Sequence, residues 1–172
     1  QPSIYGNLRT FWYSWIKPVL SRLPDDDTAK TDPYDTMLSC FTDLVLEHHV
    51  MHYRDFDFAD ENWEERRIGT SRPQVLVFAE KRGWMRLLRK VHEQFGVSVL
   101  ALGGAPSALT SEYTVWHIGE ALGPGVEVRL QLLGVVDYDA AGDIIARSFV
   151  EQLRQVGAQV DSVELLIEPR HF

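Results

Sequence analysis

Residues 75–167 alternate short, unbroken apolar runs with longer stretches in which apolar residues recur at helical spacing. A short apolar run predicts a strand buried on both faces, as in parallel sheets covered by helices. Repeated alternation of such strands with helices predicts right-handed βαβ units. The sequence therefore predicts an α/β domain with a parallel four-stranded sheet and flanking helices. The predicted strands are 75–79, 97–102, 128–136 and 163–167.

The first 73 residues lack this alternation and predict a helical segment of their own. Residues 1–23 and 35–53 carry apolar residues at helical spacing, whereas residues 54–73 are charged and irregular. We therefore expect a helical N-terminal segment over residues 1–73, followed by the α/β domain over residues 74–172.

Acidic side chains follow two of the predicted strands at the point where each strand ends. Glu80 follows the first strand, and Asp137 and Asp139 follow the third. Functional groups of open parallel sheets collect at this end of the strands, so the three carboxylates converge if the first and third strands are neighbours. Carboxylate oxygens suit Mg²⁺, which stabilises the attacking and leaving oxygens of a phosphodiester. The pattern predicts a Mg²⁺ site.

A structural role is the alternative for the acidic residues after the third strand. Aspartate is a common helix N-cap, so Asp139 or Asp143 would then cap the helix that follows. A single carboxylate would fit that role alone. A glutamate after one strand and an aspartate pair after another favour the metal site.

Together these motifs resemble the Toprim domain of topoisomerases, bacterial primases and some nucleases. The resemblance lies in Glu80, in the glycine turn after the second strand and in the D-x-D-x-x-G pattern of residues 137–142. The DNA-cleaving subunit of DNA topoisomerase VI and its meiotic double-strand-break relatives are similar in more detail. Their first strand ends in E-K, as at Glu80-Lys81, and their second leads into G-x-P-[S/D], as at residues 104–107. The Toprim subunits of bacterial plasmid-defence condensin systems are also similar.

The resemblance covers residues 75–167, and it implies a fold, a metal, a substrate and partners. It implies a Toprim fold, Mg²⁺, DNA as substrate, and a homodimer, since cutting both strands needs two active sites. The sequence has no P-loop or kinase signature, so a topoisomerase of this type would need a separate ATPase subunit. The family commonly has an arginine after the glycine turn, where Ser111 and Glu112 stand here.

The front of the chain extends the resemblance to a nucleophile. In the family an R-x-x-x-Y helix supplies a tyrosine that attacks the DNA backbone, and Arg9 and Tyr13 have this spacing. A tyrosyl attack keeps the break reversible through a covalent phosphotyrosyl link, and Arg9 would stabilise the transition-state charge. The family places this helix in a winged-helix DNA-binding domain, of which residues 1–73 would be a remnant. The alternative is that Tyr13 packs within an aromatic-rich segment.

The charge distribution predicts where DNA would bind. A net charge of −8 argues against a protein that coats nucleic acid non-specifically. Basic residues nevertheless dominate residues 66–90, after an acidic stretch over residues 25–65. This basic strip either contacts phosphates, which position DNA without reading its sequence, or is a solvated face paired with the acidic stretch. The predicted DNA-binding residues are Lys81, Arg82, Arg86, Arg89 and Lys90.

Other sequence features indicate where in the cell the protein is expected. No apolar run approaches the roughly 20 residues of a membrane helix, and no secretory signal is present. The single cysteine, Cys40, excludes an intramolecular disulfide. We therefore expect an intracellular, cytoplasmic protein associated with DNA and not with a membrane. The chain opens at Gln1 without a methionine, which favours a fragment with a further domain upstream.

Three functional hypotheses follow from the sequence. The first is Mg²⁺-dependent DNA cleavage or nicking by a Toprim protein resembling the DNA-cleaving subunit of topoisomerase VI, with Tyr13 as nucleophile. The second is a metal-dependent nuclease on the same scaffold, with water as the attacking group. The third is a non-catalytic DNA-binding or assembly protein with a vestigial site.

Overall fold

The computed structural model describes residues 6–23, 31–58, 63–69 and 72–167. The chain divides into two compact units, Gln1–Glu61 and Asn62–Phe172. Within the described ranges, no helix combines the length and the apolar character needed to cross a bilayer.

The described part of the first unit consists of one 14-residue helix, Pro33–Leu46, and several short helical segments. Where one helix over residues 1–23 was predicted, the described part has three successive segments, and the helix predicted over residues 35–53 ends at Leu46. His49 has a left-handed backbone (φ 51°), which an α-helix does not accommodate. The segments are α1 (Leu8–Phe11), a π-helical segment (Trp12–Ile16), α2 (Lys17–Leu20), α3 (Pro33–Leu46) and a 3₁₀ turn (Tyr53–Phe56).

Aromatic side chains form the core of this first unit. The Phe11 ring lies edge-on to Phe41 at 6.0 Å and to Phe58 at 5.4 Å, and Phe41 and Phe58 are 5.7 Å apart. These centroid distances are those of favourable edge-to-face pairs. Trp12 packs in the same way on Tyr34, at 5.6 Å. The aromatic density of the sequence therefore builds a small core.

The second unit is an α/β fold, which confirms the predicted class. Its sheet has the strand order β1-β3-β2-β4-β5, in which β2, β3, β4 and β5 run parallel and β1 is antiparallel to β3. The elements are α4 (Trp63–Arg66), β1 (Arg67–Ile68), β2 (Arg72–Ala79), a 3₁₀ turn (Arg82–Trp84), α5 (Met85–Phe95), β3 (Val97–Ala101), α6 (Ala108–Leu122), β4 (Arg129–Val135), α7 (Ala140–Gln155) and β5 (Gln159–Leu165).

Two features of the sheet differ from the prediction. The sheet has a fifth strand, β1, whose residues Arg67 and Ile68 pair with Leu100 and Val99. A strand of two residues is too short to show the alternation of apolar and polar residues that predicts a strand. Strand β5 spans residues 159–165 instead of 163–167, because it is an edge strand whose exposed positions are mostly polar. The predicted adjacency of the first and third long strands, β2 and β4, is confirmed.

Helices cover both faces of the sheet, and alternate residues of β2 enter two separate cores. Leu76 and Phe78 belong to one core cluster with residues of α6 and α7, whereas Val77 and Ala79 belong to another with Leu88 of α5. This alternation follows from the two-residue repeat of a strand. Strand β2 is therefore buried on both faces, and its carboxyl end has a fixed place in the sheet.

The contact between Phe78 of β2 and Phe149 of α7 ties the sheet to its helical layer, with ring centroids 5.2 Å apart. Phe149→Ala should lower the free energy of unfolding of the second unit by about 3–5 kcal/mol, as expected for a fully buried phenylalanine. Chemical denaturation followed by circular dichroism measures this change.

The matched control is Phe95→Ala, which removes the same atoms from a side chain that is 55 % exposed. It should change the free energy of unfolding by no more than about 0.5 kcal/mol. Equal losses in the two variants would contradict this description of the core.

Candidate functional site

The backbone of Glu80 is held by hydrogen bonds to β4 on one side and to the turn after β3 on the other. Its N–H donates to the carbonyl of Val135 at 3.0 Å, which extends the pairing of β2 with β4 by one residue. Its carbonyl accepts from Gly103 at 2.8 Å and from Gly104 at 2.9 Å, in the turn after β3. Both glycines have positive φ (78° and 119°), a conformation that glycine adopts without strain. The backbone that carries the half-buried Glu80 side chain is therefore fixed in position.

The structure brings Glu80 and Asp137 together. The Glu80 Oε2 atom accepts a hydrogen bond from the backbone N–H of Asp137 at 3.1 Å. Asp139 follows in a tight turn, in which its N–H donates to the Asp137 carbonyl at 2.9 Å. The two strand ends therefore meet at one edge, as the sequence predicted.

Asp139 is the N-cap of α7. Its Oδ1 accepts from the Gly142 N–H at 2.7 Å, and this hydrogen bond satisfies a donor that the first turn of a helix leaves unpaired. Asp143 lies in that first turn and forms an ion pair with Arg147, 2.9 Å away. Asp139 therefore has the helix-capping role that was the structural alternative, and this role uses one of its two carboxylate oxygens.

Gly142 explains the spacing of the D-x-D-x-x-G motif. A Cβ atom added at Gly142 would lie 2.1 Å from the carbonyl oxygen of Asp137, closer than any real contact. The obstacle is backbone and has no flexible end to move aside. A residue without a side chain is therefore required for α7 to begin directly against the Asp137 peptide.

Lys81 forms an ion pair with Asp137 across the two strand ends, from Nζ to Oδ2. The hydrogen bond from Lys81 to Asp137 raises the pKa of Lys81 above its ordinary value. Desolvation lowers this pKa somewhat, whereas the negative charges of Asp137, Glu80 and Asp139 raise it further. Lys81 was predicted to contact DNA as part of the basic strip. In the structure its ammonium group lies among the carboxylates.

Among the described residues, no set of three or more His, Cys, Asp or Glu side chains is arranged to hold a metal ion. Two contacts engage the candidate carboxylates at the strand ends. Asp139 directs Oδ1 to the helix cap, and the ammonium group of Lys81 contacts Asp137. The donor set itself consists of hard oxygens, and the lysine places a positive charge directly against it.

The other predicted DNA-binding residues differ in their surroundings. Arg86, Arg89 and Lys90 are exposed on α5. Arg82 is also exposed, and its side chain lies over Gly103, where a Cβ would come within 2.7 Å of Nε. Arg66, the first basic residue of the strip, is buried, and its Nη1 donates to the Leu102 carbonyl at 2.9 Å, so Arg66 belongs neither to a phosphate-binding nor to a solvated face.

The turn after β3 is held from its other side by α7. The side chain of Gln152 accepts from the Ser111 hydroxyl at 2.8 Å and donates to the Pro106 carbonyl at 3.3 Å. Ser111 and Glu112, which stand where the family commonly has an arginine, are both buried. This position is therefore part of the packing between α6 and α7.

Arg9 and Tyr13 are both exposed in the first unit. Tyr13 lies in the π-helical segment, with 52 % of its surface exposed and the Lys17 ammonium 5.0 Å from its ring centroid. Packing within the aromatic segment was the alternative for Tyr13, and in the structure its neighbours Phe11 and Trp12 make these aromatic contacts. π-Helical turns occur frequently at functional sites.

A cleft of about 400 Å³ lies beside the strand ends. Its acidic lining comes from Asp137, Asp139, Asp143 and Glu164, and Leu165 of β5 is among its apolar residues. Two of the three candidate carboxylates, Asp137 and Asp139, therefore line a depression that a ligand can enter, and Glu80 is not among its lining residues.

No protein-family model, no curated protein and no solved structure significantly matches this chain.

The close approach at Gly142 gives a testable prediction. Gly142→Ala should lower the free energy of unfolding by about 1–3 kcal/mol, the usual cost of overpacking. It should also speed amide hydrogen exchange at Asp137, because α7 must move away from that peptide. Gly83→Ala is the control, since a Cβ there meets nothing within 4 Å. An Asp137 amide that exchanges no faster in Gly142→Ala would argue against the close approach.

The ion pair predicts the titration of Lys81. Nuclear magnetic resonance of its side chain should give a pKa above the ordinary value of about 10.4, and Asp137→Asn should lower that pKa. The sign follows from linkage, since the stability that the pair adds is present below the ordinary pKa and is lost as pH rises through the raised value. Asp161→Asn, which removes a carboxylate paired with Arg129, should leave the Lys81 titration unchanged.

Proposed function

We propose that residues 75–167 form a Toprim-type domain that cleaves or nicks DNA with Mg²⁺ held by Glu80, Asp137 and Asp139. The observation that carries the proposal is the hydrogen bond from the Asp137 N–H to Glu80 Oε2, which joins acidic residues 57 positions apart. The parallel order β3-β2-β4-β5 supports it, because this order makes the Glu80 strand and the Asp137 strand neighbours.

The donor atoms are of the chemical kind that Mg²⁺ binds, which supports the proposal. This ion usually keeps several waters and takes one or two protein carboxylates together with substrate phosphates. Glu80 and Asp137 supply such a pair, and Asp139 has a second oxygen beyond the one that caps α7. When bound, Mg²⁺ polarises a phosphodiester and stabilises the charge on its oxygens. Glu80 and Asp137 hold the site at rigid strand ends, and Asp139 fixes the turn between them and α7.

DNA is the proposed partner, with phosphate contacts from α5. Arg86, Arg89 and Lys90 are exposed there, and α5 follows the Glu80 strand after a short 3₁₀ turn. A local basic surface steers a polyanion even when the net charge is −8. The resemblance further predicts that the protein acts as a homodimer and together with a separate ATPase subunit.

Two attacking groups are compatible with this metal chemistry. Tyr13 is favoured by its exposure and by its spacing from Arg9 in a helical segment. A tyrosine nucleophile leaves the protein covalently attached to a DNA end, whereas attack by water leaves a free phosphate end. The two mechanisms differ in product and not in the metal ligands.

A plasmid-nicking assay tests the proposal. Wild-type protein should convert supercoiled plasmid to nicked or linear DNA with Mg²⁺, and chelation should stop it. Asp137→Asn should slow the conversion by about a hundredfold or more, because removing one charged group at a reacting phosphate typically costs several kcal/mol. Tyr13→Phe should abolish cleavage together with the covalent DNA adduct, detected after denaturation.

The matched control is Asp161→Asn, a change of the same atoms in an exposed, ion-paired aspartate near the amino end of β5. It should cleave like wild type. Cleavage by Tyr13→Phe at the wild-type rate would make water the attacking group. DNA that stays intact with wild-type protein and Mg²⁺, while still being bound, would replace cleavage with a non-catalytic DNA-binding role.

A further inference from the structure

We propose that the basic surface of α5 binds DNA whose bases are unpaired, and that the indole ring of Trp84 stacks on one of those bases. The inference rests on the proposed function, from which it takes DNA as the partner, and it adds the form of DNA that is bound. The feature that leads to it is an exposed tryptophan among cations, beside the end of β2.

Trp84 lies at the same edge of the sheet as Glu80. It is the last residue of the 3₁₀ turn between β2 and α5, and its N–H donates to the Lys81 carbonyl at 3.1 Å. Trp84 is 37 % exposed. A Cβ atom added at the preceding residue, Gly83, would meet nothing within 4 Å, so the surface beside Trp84 is open. A planar ligand can therefore reach Trp84 from solvent.

The chain around Trp84 carries positive charge only. Residues 81–92 contain five lysine and arginine residues and no carboxylate. Arg86, Arg89 and Lys90 are exposed on α5, where residues three and four apart are neighbours on the helix surface. Within the described part of the second unit, none of these three forms an ion pair with a carboxylate. The surface is therefore complementary in charge to a polyanion.

The combination of an exposed indole with cations favours unpaired over paired DNA. Cations alone contact the backbone of a duplex, whose bases are stacked on one another and offer no free face to a side chain. Every base of a single strand has a free π-face, and proteins that bind single strands combine a basic groove with aromatic side chains on which the bases stack. Trp84 and the α5 cations are such a combination.

The position of Trp84 connects this binding to the strand ends. Trp84 follows Glu80 by four residues, and Glu80 accepts a hydrogen bond from the Asp137 N–H. A base stacked on Trp84 therefore brings its own sugar and phosphate to the edge where these two residues lie. DNA that is already unpaired there, as in a single strand or a gap, would be the form that the proposed site receives.

Fluorescence anisotropy of labelled oligothymidine, and of a duplex of the same length, tests the inference. A chelator is present, so that binding is measured without cleavage. Trp84→Ala should weaken binding of the single strand about five- to hundredfold, the loss expected for one stacked base. Its affinity for the duplex should stay within about twofold of wild type, because the phosphate contacts remain. Trp84→Phe keeps an aromatic face and should lose much less than Trp84→Ala.

The matched control is Phe95→Ala, which removes an exposed aromatic ring from the other end of α5. It should bind both DNAs like wild type. Circular dichroism confirms that each variant is folded.

An abasic strand of the same length gives a test that does not depend on how the variants fold. This strand keeps the phosphates and has no π-faces, so wild-type protein should bind it more weakly than oligothymidine. On the abasic strand, wild type and Trp84→Ala should agree within about twofold, because the partner of the indole is missing.

Two results would overturn the stacking. One is an equal loss of Trp84→Ala on single strand and duplex, and the other is equal affinity of wild type for oligothymidine and the abasic strand. Neither would touch the proposed cleavage, which the plasmid-nicking assay measures separately with Mg²⁺. A preference for single strands that depends on Trp84, in a protein that nicks no plasmid, supports the binding inference and removes the cleavage. Failure of wild type to bind either DNA overturns both.

Discussion

The candidate site depends on the two-sided hydrogen bonding of the Glu80 peptide. Strand β4 accepts its N–H and the turn after β3 donates to its carbonyl, so moving this residue would break hydrogen bonds on both sides of β2. The position of the carboxylate then follows from the backbone and not from a mobile loop. Groups placed on rigid elements in this way hold their geometry more closely than groups on loops.

The acidic residues beside this peptide have different surroundings. Asp139 caps α7, and Gly142 lets that helix begin against Asp137. Asp137 remains directed at the strand ends, where Lys81 partly balances the charge of the neighbouring carboxylates. A helix cap and a carboxylate paired with Lys81 thus share one six-residue segment, in which the aspartate caps α7 and the glycine lets that helix begin against Asp137.

The sequence predicted much of this arrangement because strands buried on both faces leave continuous apolar runs. Strand β3 is buried along its length, and β2 and β4 are buried toward their carboxyl ends, so the acidic residues that follow β2 and β4 were located from the sequence. Contacts between side chains left no such signal. The pairing of Lys81 with Asp137 depends on two residues 56 positions apart, and nothing local distinguishes Lys81 from its basic neighbours.

Other features escaped prediction for related reasons. Strand β1 has only two residues and is defined by its partner β3, and the burial of Arg66 is decided by a distant carbonyl, that of Leu102. Edge pairing and long-range hydrogen bonds are tertiary effects that composition and periodicity do not encode.

The two edges of the sheet have a consequence for the behaviour of the protein in concentrated solution. One edge ends in a strand of only two residues, and the other is a strand that carries Asp161 and Glu164. Short and charged edges are the means by which sheets resist adding strands from neighbouring molecules. A substitution that replaces these charges with β-branched apolar residues would turn an outer strand into a template for aggregation, while leaving the interior packing untouched.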